Sequence, residues 1–523
     1  MLIVGAARSG AAAAALARRT LPQAPVVICD RDPGALSAEA AAELEAAGVR
    51  MRLGDQDTAL LDGASLVIKS PGVPRTIPLL QEARRRGIAV WGEIEFAWRL
   101  LENPVVGVTG TNGKTTTTEL IGHILREAGR PCRVAGNVGT ALSSLAGTIA
   151  ADEILVLELS SFQLEDGIDF RADVAVLLNL SEDHRDRHPE PESYAAAKMR
   201  IFANQGPEDV AVLNAGDVAV RSAHIPGEAA QVWFGAAENG AAPGGQAGSS
   251  VDAPAAGGTG NDVDAPAPGG TGNDVDAPAA GGTSSSVTVL AVFSRDDWLK
   301  FRPAGLPAAL QAVAGRNANR RGEESEGPVQ DIIFWPEAAL KGEHNRENAL
   351  AAAAVCLSLG LTATEVAAGI RSFPGVPHRL QPVARIRGVT YVNDSKATNV
   401  DAAIKALTAF SGGIHLILGG SLKGCSFDEL ARAAAGDKVR QVLVIGQAAD
   451  EIAASFGRAG RGVERAGGLE EAVRAAADSA GPGDTVLLAP ACASYDQYEN
   501  FEKRGEHFIA LVERMRTADK ARE

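Results

Sequence analysis

The stretch VVGVTGTNGKTTTTEL, residues 105–120, decides how the centre of the chain folds. An apolar run of strand length leads into a glycine-rich turn, and the threonines that follow open a helix. Such glycines let backbone N–H groups approach phosphate oxygens, and the helix start adds a positive dipole. Lys114 would reach the outer phosphates and Thr115 would offer a hydroxyl to Mg²⁺. The stretch predicts a nucleotide-binding loop, although its glycines are three apart, unlike the usual spacing, and a plain glycine turn is the alternative.

Strand-length apolar runs alternate with alanine-rich helical stretches along most of the chain. The strand candidates are 2–5, 26–30, 66–70, 105–110, 154–160 and 174–180, followed by 388–394, 414–420, 441–446 and 484–490. This alternation is typical of βαβ units around parallel sheets. Prolines and a glycine interrupt the series near 102–104 and 373–379, which suggests a hinge. We therefore predict an α/β protein with three domains, 1–101, 102–374 and 375–523, each built on a mainly parallel sheet.

Length and charge narrow the class of protein. A chain of 523 residues is too long for one hydrophobic core, and its net charge of −15 opposes binding to nucleic acids or anionic membranes. The opening MLIVGAARSG lacks the basic region of a signal peptide, and the apolar run at 349–361 is too short to span a bilayer. Five scattered cysteines without CxxC pairs, Cys29, Cys132, Cys356, Cys425 and Cys492, indicate a reducing compartment and no structural zinc. A cytoplasmic enzyme or binding protein is expected.

Three copies of a twelve-residue unit occupy residues 251–286, with the sequences VDAPAAGGTGND, VDAPAPGGTGND and VDAPAAGGTSSS. Gly, Pro, Ala and Asp cannot bury enough apolar area to offset the cost of ordering the chain. We predict a disordered insertion over about 238–287, within the central domain. A calcium-binding β-roll is the alternative, although three short repeats rarely support a solenoid core.

Two candidate metal ligands follow apolar strands of the central region. Glu158 ends the run ILVLE, and His184 lies just past the next strand, in NLSEDHRDRHP. The carboxyl ends of parallel strands face the crevice in which doubly wound sheets bind ligands, so Glu158 is a natural partner for Mg²⁺. A carboxylate that accepts a loop N–H is the alternative. His184 would bind the metal or orient a water or the nucleophile, and a capping or solvated histidine fits the sequence equally well.

Two further motifs are ambiguous by themselves. YAAAKMRIF places Tyr194 and Lys198 four residues apart on one helix face, where a solvated surface lysine is the default interpretation. GAARSG, at residues 5–10, resembles a dinucleotide-binding turn, and Asp30 ends the second strand about where a ribose-binding acid would fall. Ala7 replaces the middle glycine of that pattern, so NAD binding is a weaker alternative.

The C-terminal region carries polar motifs after its strands. NDSKATN at 393–399, GGSLKG at 419–424 and APACASYDQYENFEKRG at 489–505 each follow a strand candidate. Together they place Asp394, Lys396, Thr398, Lys423 and Ser494 near one edge of the predicted sheet. Lysines and hydroxyls collected there would suit a small anionic substrate, although each is individually more often a turn residue.

Eight motifs occur in one order along the chain: GTNGKTT, ELSSFQLE, EDHRDRHP, YAAAKMRIF, HNRENALAA, PHRLQ, NDSKATN and ACASYDQYENFEKRG. Together they resemble the Mur ligase family, over nearly the whole chain apart from about 215–330. Each motif is weak alone, but the ordered set is highly specific. The phosphate loop of that family has the glycine spacing seen at 107–113, which removes the objection to a nucleotide-binding loop.

The resemblance implies an ATP-dependent ligase that adds D-glutamate to UDP-N-acetylmuramoyl-L-alanine through an acyl phosphate, in cytoplasmic peptidoglycan precursor synthesis. It implies a Rossmann-like N-terminal domain for the UDP-sugar, a central P-loop ATPase domain, and a Rossmann-like C-terminal domain for ATP and the incoming amino acid. ATP and two Mg²⁺ ions are the implied cofactors. A monomer that acts on small molecules, without nucleic acid or membrane insertion, is expected.

The same resemblance implies which residues meet each ligand. For ATP they are Gly110, Thr111, Asn112, Gly113, Lys114, Thr115, Thr116, Asn137, Asn345, Asn348, Arg379 and Asp394. For the UDP-sugar they are Gly5, Arg8, Ser9, Gly10, Asp30, Ser70 and Gly72, and for D-glutamate Lys396, Thr398, Lys423, Ser494 and Phe501. The implied metal ligands are Thr115, Glu158, His184 and Lys198, and the implied catalytic residues are Lys114, His184 and Lys198. Lys198 would carry a carbamate, which turns a cation into an anionic oxygen ligand, and His184 is a candidate for assisting the incoming amine.

Two alternatives from other functional classes remain. A regulatory P-loop ATPase would hydrolyse ATP without needing the UDP-sugar or D-glutamate. An NAD-dependent oxidoreductase would bind its cofactor through residues 5–30 and would ignore ATP.

Overall fold

Three β-sheets organise the computed structural model of the chain. It describes residues 1–137, 139–181, 187, 190–235, 288–295, 298–303, 330–338, 340, 342–422 and 426–520. His184, Lys423 and the repeats at 251–286 lie outside the described residues.

The N-terminal sheet is parallel throughout, in the order β3-β2-β1-β4-β5. Its strands are β1 Leu2–Val4, β2 Val27–Asp30, β3 Arg50–Leu53, β4 Leu66–Lys69 and β5 Ala89–Gly92. The α-helices around it are Arg8–Thr20, Ala38–Ala46, Pro78–Arg85 and Glu93–Trp98, with a 3-10 helix at Thr58–Leu61. The strand order reverses between β1 and β4, which opens a crevice at the carboxyl ends of β2, β1 and β4.

The central sheet has the order β14-β13-β12-β11-β10-β9-β6-β8-β7 within the described ranges. Its strands are β6 Val105–Thr109, β7 Cys132–Gly136, β8 Ile154–Glu158, β9 Val174–Leu177, β10 Val210–Asn214, β11 Ala230–Phe234, β12 Thr288–Arg295, β13 Trp298–Pro303 and β14 Gln330–Phe334. Its α-helices are Lys114–Glu127, Leu142–Leu145, Ser161–Leu164, Pro191–Met199, Val218–Ser222, Glu343–Ser358 and Ala363–Ser372, with 3-10 helices at Arg200–Phe202 and Trp335–Glu337. The strands from β7 to β12 are parallel, and β13 and β14 extend the sheet in antiparallel fashion.

The C-terminal sheet has the order β15-β16-β20-β17-β18-β19. Its strands are β15 Gln381–Ile386, β16 Val389–Asn393, β17 Ile414–Gly419, β18 Val439–Ile445, β19 Glu464–Gly467 and β20 Thr485–Leu488. Its helices are Val400–Thr408, Asp428–Ala433, Ala449–Arg458, Leu469–Ser479 and Phe501–Lys520. The edge strand β15 pairs antiparallel with β16, and the other pairs are parallel.

The apolar pattern of the sequence explains where the core lies. Strands β6, β8 and β9 are buried along their whole length, as expected for parallel strands covered on both faces. The alanine-rich helix Glu343–Ser358 is buried almost throughout, because small side chains let it approach its neighbours closely. One continuous apolar cluster joins Ala13 and Ala17 of the first helix to Leu155 and Leu157 of β8, so the N-terminal and central sheets share a core.

All ten strand candidates are present in the structure, most of them one or two residues shorter than expected. The α/β class with three mainly parallel sheets is therefore confirmed. The cysteines within the described ranges are buried free thiols. Among the described helices, none combines the length and the apolar character needed to cross a bilayer.

Candidate active site

The phosphate loop connects β6 to the helix Lys114–Glu127. Gly113 caps that helix with a φ of 86°, in the left-handed region that favours glycine. A Cβ atom at Gly113 would lie 2.3 Å from Oδ1 of Asn348. The Lys114 ammonium folds back onto the loop and donates to the carbonyl oxygens of Gly110 at 2.9 Å and Thr111 at 2.8 Å. The loop therefore has the shape and the charge that a phosphate group requires.

Neighbouring strand ends support the loop. Asn179, which follows β9, accepts from the N–H of Asn112 at 2.8 Å through Oδ1 and donates to the Asn112 carbonyl at 3.1 Å through Nδ2. The Thr111 hydroxyl donates to the carbonyl oxygen of Ser181 at 3.1 Å. On the helix side, Asn348 accepts from the Thr117 hydroxyl at 3.3 Å. These bonds, which include the N–H of Asn112 as a donor, hold the loop in one conformation.

The implied nucleotide residues on the helix Glu343–Ser358 lie against this loop. Asn345 and Asn348 are both buried, and Nδ2 of Asn348 lies 3.3 Å from Oδ1 of Asn345. Thr115 and Thr116 are also buried, in the first turn of the helix that the loop opens. Among the described residues, the buried Thr116 hydroxyl has no hydrogen-bond partner.

Glu158 ends β8, the strand next to β6, and is 3% exposed. Its Oε1 accepts from Nδ2 of Asn137 at 3.0 Å, and its backbone carbonyl accepts from the Asn137 N–H at 2.8 Å. Among the described residues its buried Oε2 has no hydrogen-bond partner. An ionised carboxylate oxygen that is buried without a donor is costly unless a cation binds it. Glu158 therefore fits the role of a cation ligand.

Lys198 is 1% exposed, so the default interpretation as a solvated surface lysine is wrong. Its ammonium donates to the carbonyl oxygen of Gly110 at 2.8 Å and lies 4.5 Å from the centre of the Tyr194 ring. The spacing of Tyr194 and Lys198 on one helix face thus brings both to the base of the phosphate loop. His184, which was expected beside them, lies outside the described residues.

The residues implied for the UDP-sugar meet at the carboxyl ends of β2, β1 and β4. The Ser70 hydroxyl donates to the Gly5 carbonyl at 2.9 Å, and a Cβ atom at Gly10 would lie 2.7 Å from Oγ of Ser70. Asp30 accepts from the Ala6 N–H at 2.8 Å. The remaining members, Arg8, Ser9 and Gly72, lie in the first helical turn and in the turn after β4.

Arg8 connects this crevice to the central sheet. Its guanidinium donates to the carbonyl oxygen of Asn137 at 3.1 Å. Because Asn137 also holds Glu158, one short chain of contacts links the first glycine turn to the candidate cation ligand.

A cleft lies between the central and C-terminal sheets. It is lined by Asn112, His344, Arg379, Leu380, Asp394, Lys396, Ala397, Ala402, Lys405 and Ala406. Residues His378 and Leu380, on either side of Arg379, adopt φ values of 62° and 42°, an uncommon conformation for residues other than glycine. This turn carries Arg379 into the cleft, close to the phosphate loop.

Burial sets the protonation of the groups in this cleft. It raises the pKa of Asp394 to about 6, against the opposing positive charges of Arg379 and Lys396. Burial, with the charges of Arg379 and Lys405, lowers the pKa of His344 to about 4, so this histidine is neutral at pH 7.

Lys396 couples the two sheets electrostatically. Burial lowers the pKa of its ammonium, and the nearby carboxylate of Glu158 opposes that shift. Burial raises the pKa of Glu119, on the first turns of the loop helix, while Lys396 opposes it. The charge of Lys396, in the C-terminal part, thus interacts with two carboxylates of the central part.

The residues implied for D-glutamate gather at the ends of β16, β20 and β17, as far as the structure describes them. The Lys396 ammonium lies 5.3 Å from the centre of the Phe501 ring, and Thr398 follows in the same loop. Ser494, in the loop after β20, is buried. Lys423 lies outside the described residues, but Ser421 just before it donates its N–H to the Ala493 carbonyl at 2.8 Å.

One buried arginine, missed by the sequence analysis, holds these loops together. Arg504 is 1% exposed, and burial lowers its pKa to about 10. It donates to the Ser395 hydroxyl and carbonyl, both at 2.9 Å, and to the Cys492 carbonyl at 3.1 Å. Longer contacts of 3.4 Å reach the Gly419 and Ala493 carbonyls. Its only sequence signal was its place in the motif FEKRG.

Other residues of the site were also missed. Asn179 supports the phosphate loop, and His344 and Lys405 line the cleft. Asn179 and His344 belong to motifs that the sequence analysis quoted, NLSEDHRDRHP and HNRENALAA. Lys405 lies on a helix with no motif of its own, and only its position two turns after NDSKATN could have suggested it.

The chain matches two known family models. Residues 108–249 match the Mur ligase middle domain, and residues 378–492 match the Mur ligase glutamate ligase domain. The chain is 41% identical over 522 residues to UDP-N-acetylmuramoylalanine–D-glutamate ligase of Anaeromyxobacter dehalogenans, covering 98% of this chain and 96% of the relative. It is 40% identical over 515 residues to the enzyme of the same name from Myxococcus xanthus, covering 98% of both chains.

A solved structure shows the same fold. UDP-N-acetylmuramate-alanine ligase from Thermotoga maritima aligns with a TM-score of 0.53 at 18% identity, over 99% of both chains. With the full-length identity to curated relatives and the ordered motifs around the phosphate loop, this places the chain in the Mur ligase family.

Proposed function

We propose that the protein catalyses the ATP-dependent addition of D-glutamate to UDP-N-acetylmuramoyl-L-alanine, a step of peptidoglycan synthesis. The relatives that match along nearly their whole length are named for this reaction. The observation that carries the proposal is the position of Glu158, at the end of the strand next to the phosphate loop. Its buried Oε2 has no hydrogen-bond partner among the described residues, and its charge acts on Lys396 across the cleft. Nucleotide, cation and amino acid sites would thus meet at one point.

The donor set fits Mg²⁺, which prefers oxygen ligands. Glu158 supplies a buried carboxylate oxygen without a described partner, and Thr115 supplies a hydroxyl at the helix start. When bound, Mg²⁺ would supply positive charge beside the phosphates and polarise them. Two ions are part of the proposal, with His184 and a modified Lys198 as further ligands.

A carbamate on Lys198 is the second element of the proposal. The buried ammonium now contacts the Gly110 carbonyl at the base of the loop. Carbamate formation requires the neutral amine, which attacks CO₂ and releases one proton. The product is an anionic oxygen ligand in place of a cation, at a position next to the phosphate loop.

Phosphoryl transfer is the first chemical step that this site would support. The substrate carboxylate is already a nucleophile, so the chain does not need a base for the attack on the γ-phosphorus of ATP. The difficulty is that one anion approaches another. The loop N–H groups, the helix dipole and Lys114 lower that repulsion, and ADP leaves as the acyl phosphate forms. The implied ATP contacts Asn137, Asn345, Asn348, Arg379 and Asp394 would orient the nucleotide.

Amide formation follows. The amine of D-glutamate attacks the acyl carbon, and phosphate leaves from the tetrahedral intermediate. Lys396, Thr398, Lys423, Ser494 and Phe501 would hold the amino acid, with the lysines facing its carboxylates. The amine must arrive uncharged, and His184 is our candidate for assisting the loss of its proton.

We also propose the division into domains 1–101, 102–374 and 375–523, with a hinge at 373–379. The family matches to a middle domain and a glutamate ligase domain support it. Closure about the hinge would bring Lys396 to Glu158 and exclude water from the acyl phosphate. We also propose that the protein is monomeric and cytoplasmic. Its net charge of −15 would repel a nucleic acid or an anionic membrane, so neither is proposed as a partner.

One coupled assay tests the proposed function. Phosphate release is measured with ATP, UDP-N-acetylmuramoyl-L-alanine and D-glutamate, and then with each omitted in turn. We expect release only with all three present. Equal release with ATP alone would favour the regulatory ATPase, and binding of NAD with no use of ATP would favour the oxidoreductase.

A further inference from the structure

A single carboxylate of the central part holds both ends of a turn in the N-terminal part. The turn SPGVP, residues 70–74, follows β4 and contains Ser70 and Gly72. On one side of it, Nζ of Lys69 lies 2.7 Å from Oδ2 of Asp166. On the other side, Nε of Arg75 lies 3.4 Å from Oδ1 of the same residue.

The middle of the turn is held from the central part as well. The guanidinium of Arg187 donates to the carbonyl oxygens of Gly72 at 3.1 Å and Val73 at 3.4 Å. It also lies 4.5 Å from the centre of the Phe162 ring, which belongs to the same segment as Asp166. The turn is therefore fixed at its two ends and at its centre by residues from outside its own sheet.

The segment that carries Asp166 is itself fixed to the N-terminal part. The Asp166 carbonyl accepts from the Gly92 N–H at 3.4 Å, and a Cβ atom at Gly92 would lie 2.8 Å from the Asp166 Cβ. The buried carboxylate of Glu95 accepts from the N–H groups of residues 168, 169 and 170, at 2.9 to 3.2 Å. Asp166 thus has little freedom to move relative to the turn.

The ion pair between Lys69 and Asp166 is buried, and this bears on its role. The side chains of Lys69 and Asp166 are 0% and 4% exposed. Burying two charges rarely adds stability over apolar side chains of similar size, because desolvation offsets their attraction. Apolar contacts already join the two sheets through the shared core. The charge pair is therefore better explained by the orientation that it imposes than by the stability that it adds.

We propose that Asp166, together with Lys69, Arg75 and Arg187, is the positioning device for the sugar nucleotide. It sets the turn 70–74 relative to the phosphate loop, so that the substrate carboxylate meets the γ-phosphate. This inference rests on the proposed function, in which Ser70 and Gly72 contact the UDP-sugar. Neither Lys69 nor Asp166 touches ATP or D-glutamate in that proposal.

The test uses the full-length protein and replaces the ion pair by apolar residues, Lys69→Met with Asp166→Leu. A single change such as Asp166→Asn would leave a buried charge unpaired and would destabilise the fold, whereas the double change does not. Arg75→Gln and Arg187→Met keep the buried pair and remove the outer contacts, so they report on positioning even where the double variant fails to fold. Arg86→Gln is the matched control, because it breaks ion pairs with Glu82 and Asp62 in the same part of the chain, away from the turn.

Two readouts separate positioning from a merely structural role. Calorimetry without ATP gives the Kd of UDP-N-acetylmuramoyl-L-alanine, and the coupled assay gives KM for each substrate. We expect the double variant to weaken sugar-nucleotide binding at least tenfold and the arginine variants at least threefold, with KM for ATP within twofold and the control unchanged. The inference would be overturned if the folded variants kept Kd and KM for the sugar nucleotide within twofold of the parent values. It would also be overturned if KM for ATP rose as much as KM for the sugar nucleotide. A parent protein that neither binds the sugar nucleotide nor depends on it would instead refute the proposed function.

Discussion

The ammonium group of Lys198 lies 2.8 Å from the carbonyl oxygen of Gly110, the residue that opens the phosphate loop. A cation held there is buried. Gly110 follows β6 and Glu158 ends the neighbouring parallel strand β8, so both lie at the same edge of the central sheet. The proposed carbamate would reverse its charge without moving the helix that carries it. This relationship leads to the first prediction.

Lys198→Ala and Lys198→Arg should both lower kcat by about 100-fold or more, because neither side chain can form the carbamate ligand. Lys438→Ala is the matched control, since Lys438 is exposed in the C-terminal part. The parent should also lose activity in CO₂-stripped buffer at low pH and regain it with bicarbonate. Near-parental turnover by Lys198→Ala would refute the carbamate proposal.

Glu158→Gln should raise the Mg²⁺ concentration needed for half-maximal activity and lower kcat by more than the roughly 10- to 100-fold typical of outer-shell changes. The amide keeps the shape of the side chain but loses the negative charge on the oxygen without a described partner. Glu153→Gln, which only removes an ion pair with Arg133 near the start of the same strand, serves as control. Unaltered Mg²⁺ dependence of the Glu158 variant would remove this residue from the cation site.

Asp394→Asn should stabilise the fold at neutral pH while raising KM for ATP. Burial raises the pKa of Asp394 to about 6, above the value of about 3.9 in an unfolded chain. The native state therefore binds more protons between pH 4 and 6, and stability falls as pH rises through that window, by about 3 kcal/mol for this group.

Urea unfolding of parent and variant at pH 4.5 and 7.5 measures this effect. The advantage of Asp394→Asn should be larger at pH 7.5, because the parent then carries the buried negative charge. An equal difference at both pH values would show that Asp394 does not titrate in this range.

Gly113→Ala should raise KM for ATP at least tenfold. A φ of 86° costs a non-glycine residue of order 1–3 kcal/mol, and the new Cβ would also lie 2.3 Å from Oδ1 of Asn348. Gly457→Ala is the control, because a Cβ atom added to this helical glycine meets no described atom within 4 Å outside its own helix backbone and chain neighbours. Alanine favours the helix over glycine, so this variant should be slightly more stable than the parent and keep its KM for ATP. A Gly113→Ala protein with parental KM for ATP would contradict the proposed role of the loop.

Asp401→Ala should loosen the contact between the phosphate loop and the C-terminal part. Oδ2 of Asp401 accepts from Nδ2 of Asn112 at 2.9 Å, across the cleft between the central and C-terminal sheets. The substitution also removes the exposed ion pair of the same oxygen with Lys405, and we expect the two losses together to lower kcat/KM for ATP by about two- to tenfold. Small-angle scattering of Asp401→Ala with substrates should show less compaction than that of the parent. Asp450→Ala, which removes an exposed ion pair with Arg465, is the control and should leave both the compaction and kcat/KM for ATP unchanged.

The residues of the candidate site that lie at the carboxyl ends of parallel strands could be predicted from the sequence. Parallel strands reveal themselves as apolar runs, and ligands bind where such strands end. The sequence therefore placed Glu158 in the crevice of the central sheet, which the phosphate loop also borders, and Asp394 separately, at one edge of the C-terminal sheet. The antiparallel strands β13, β14 and β15 were not among the strand candidates. β14 and β15 lie at sheet edges and are only partly buried, so their sequences lack a continuous apolar run.

Long-range polar contacts could not be read from the sequence. Lys69 and Asp166 are far apart in the chain, and neither has a local motif that announces a buried partner. For the same reason Lys198 was at first interpreted as solvated, because the spacing to Tyr194 reveals a helix face but not what covers it. Such contacts depend on how two sheets pack, which local periodicity does not encode.

The bonds of Arg504 also set an order of assembly during synthesis. The loops at 395, 419 and 492–493 all precede it in the chain, yet they share its guanidinium as their common donor. A nascent chain on the ribosome can complete the N-terminal and central sheets while these loops still lack that donor. We therefore expect the proposed amino acid site to mature last, after translation has passed residue 504.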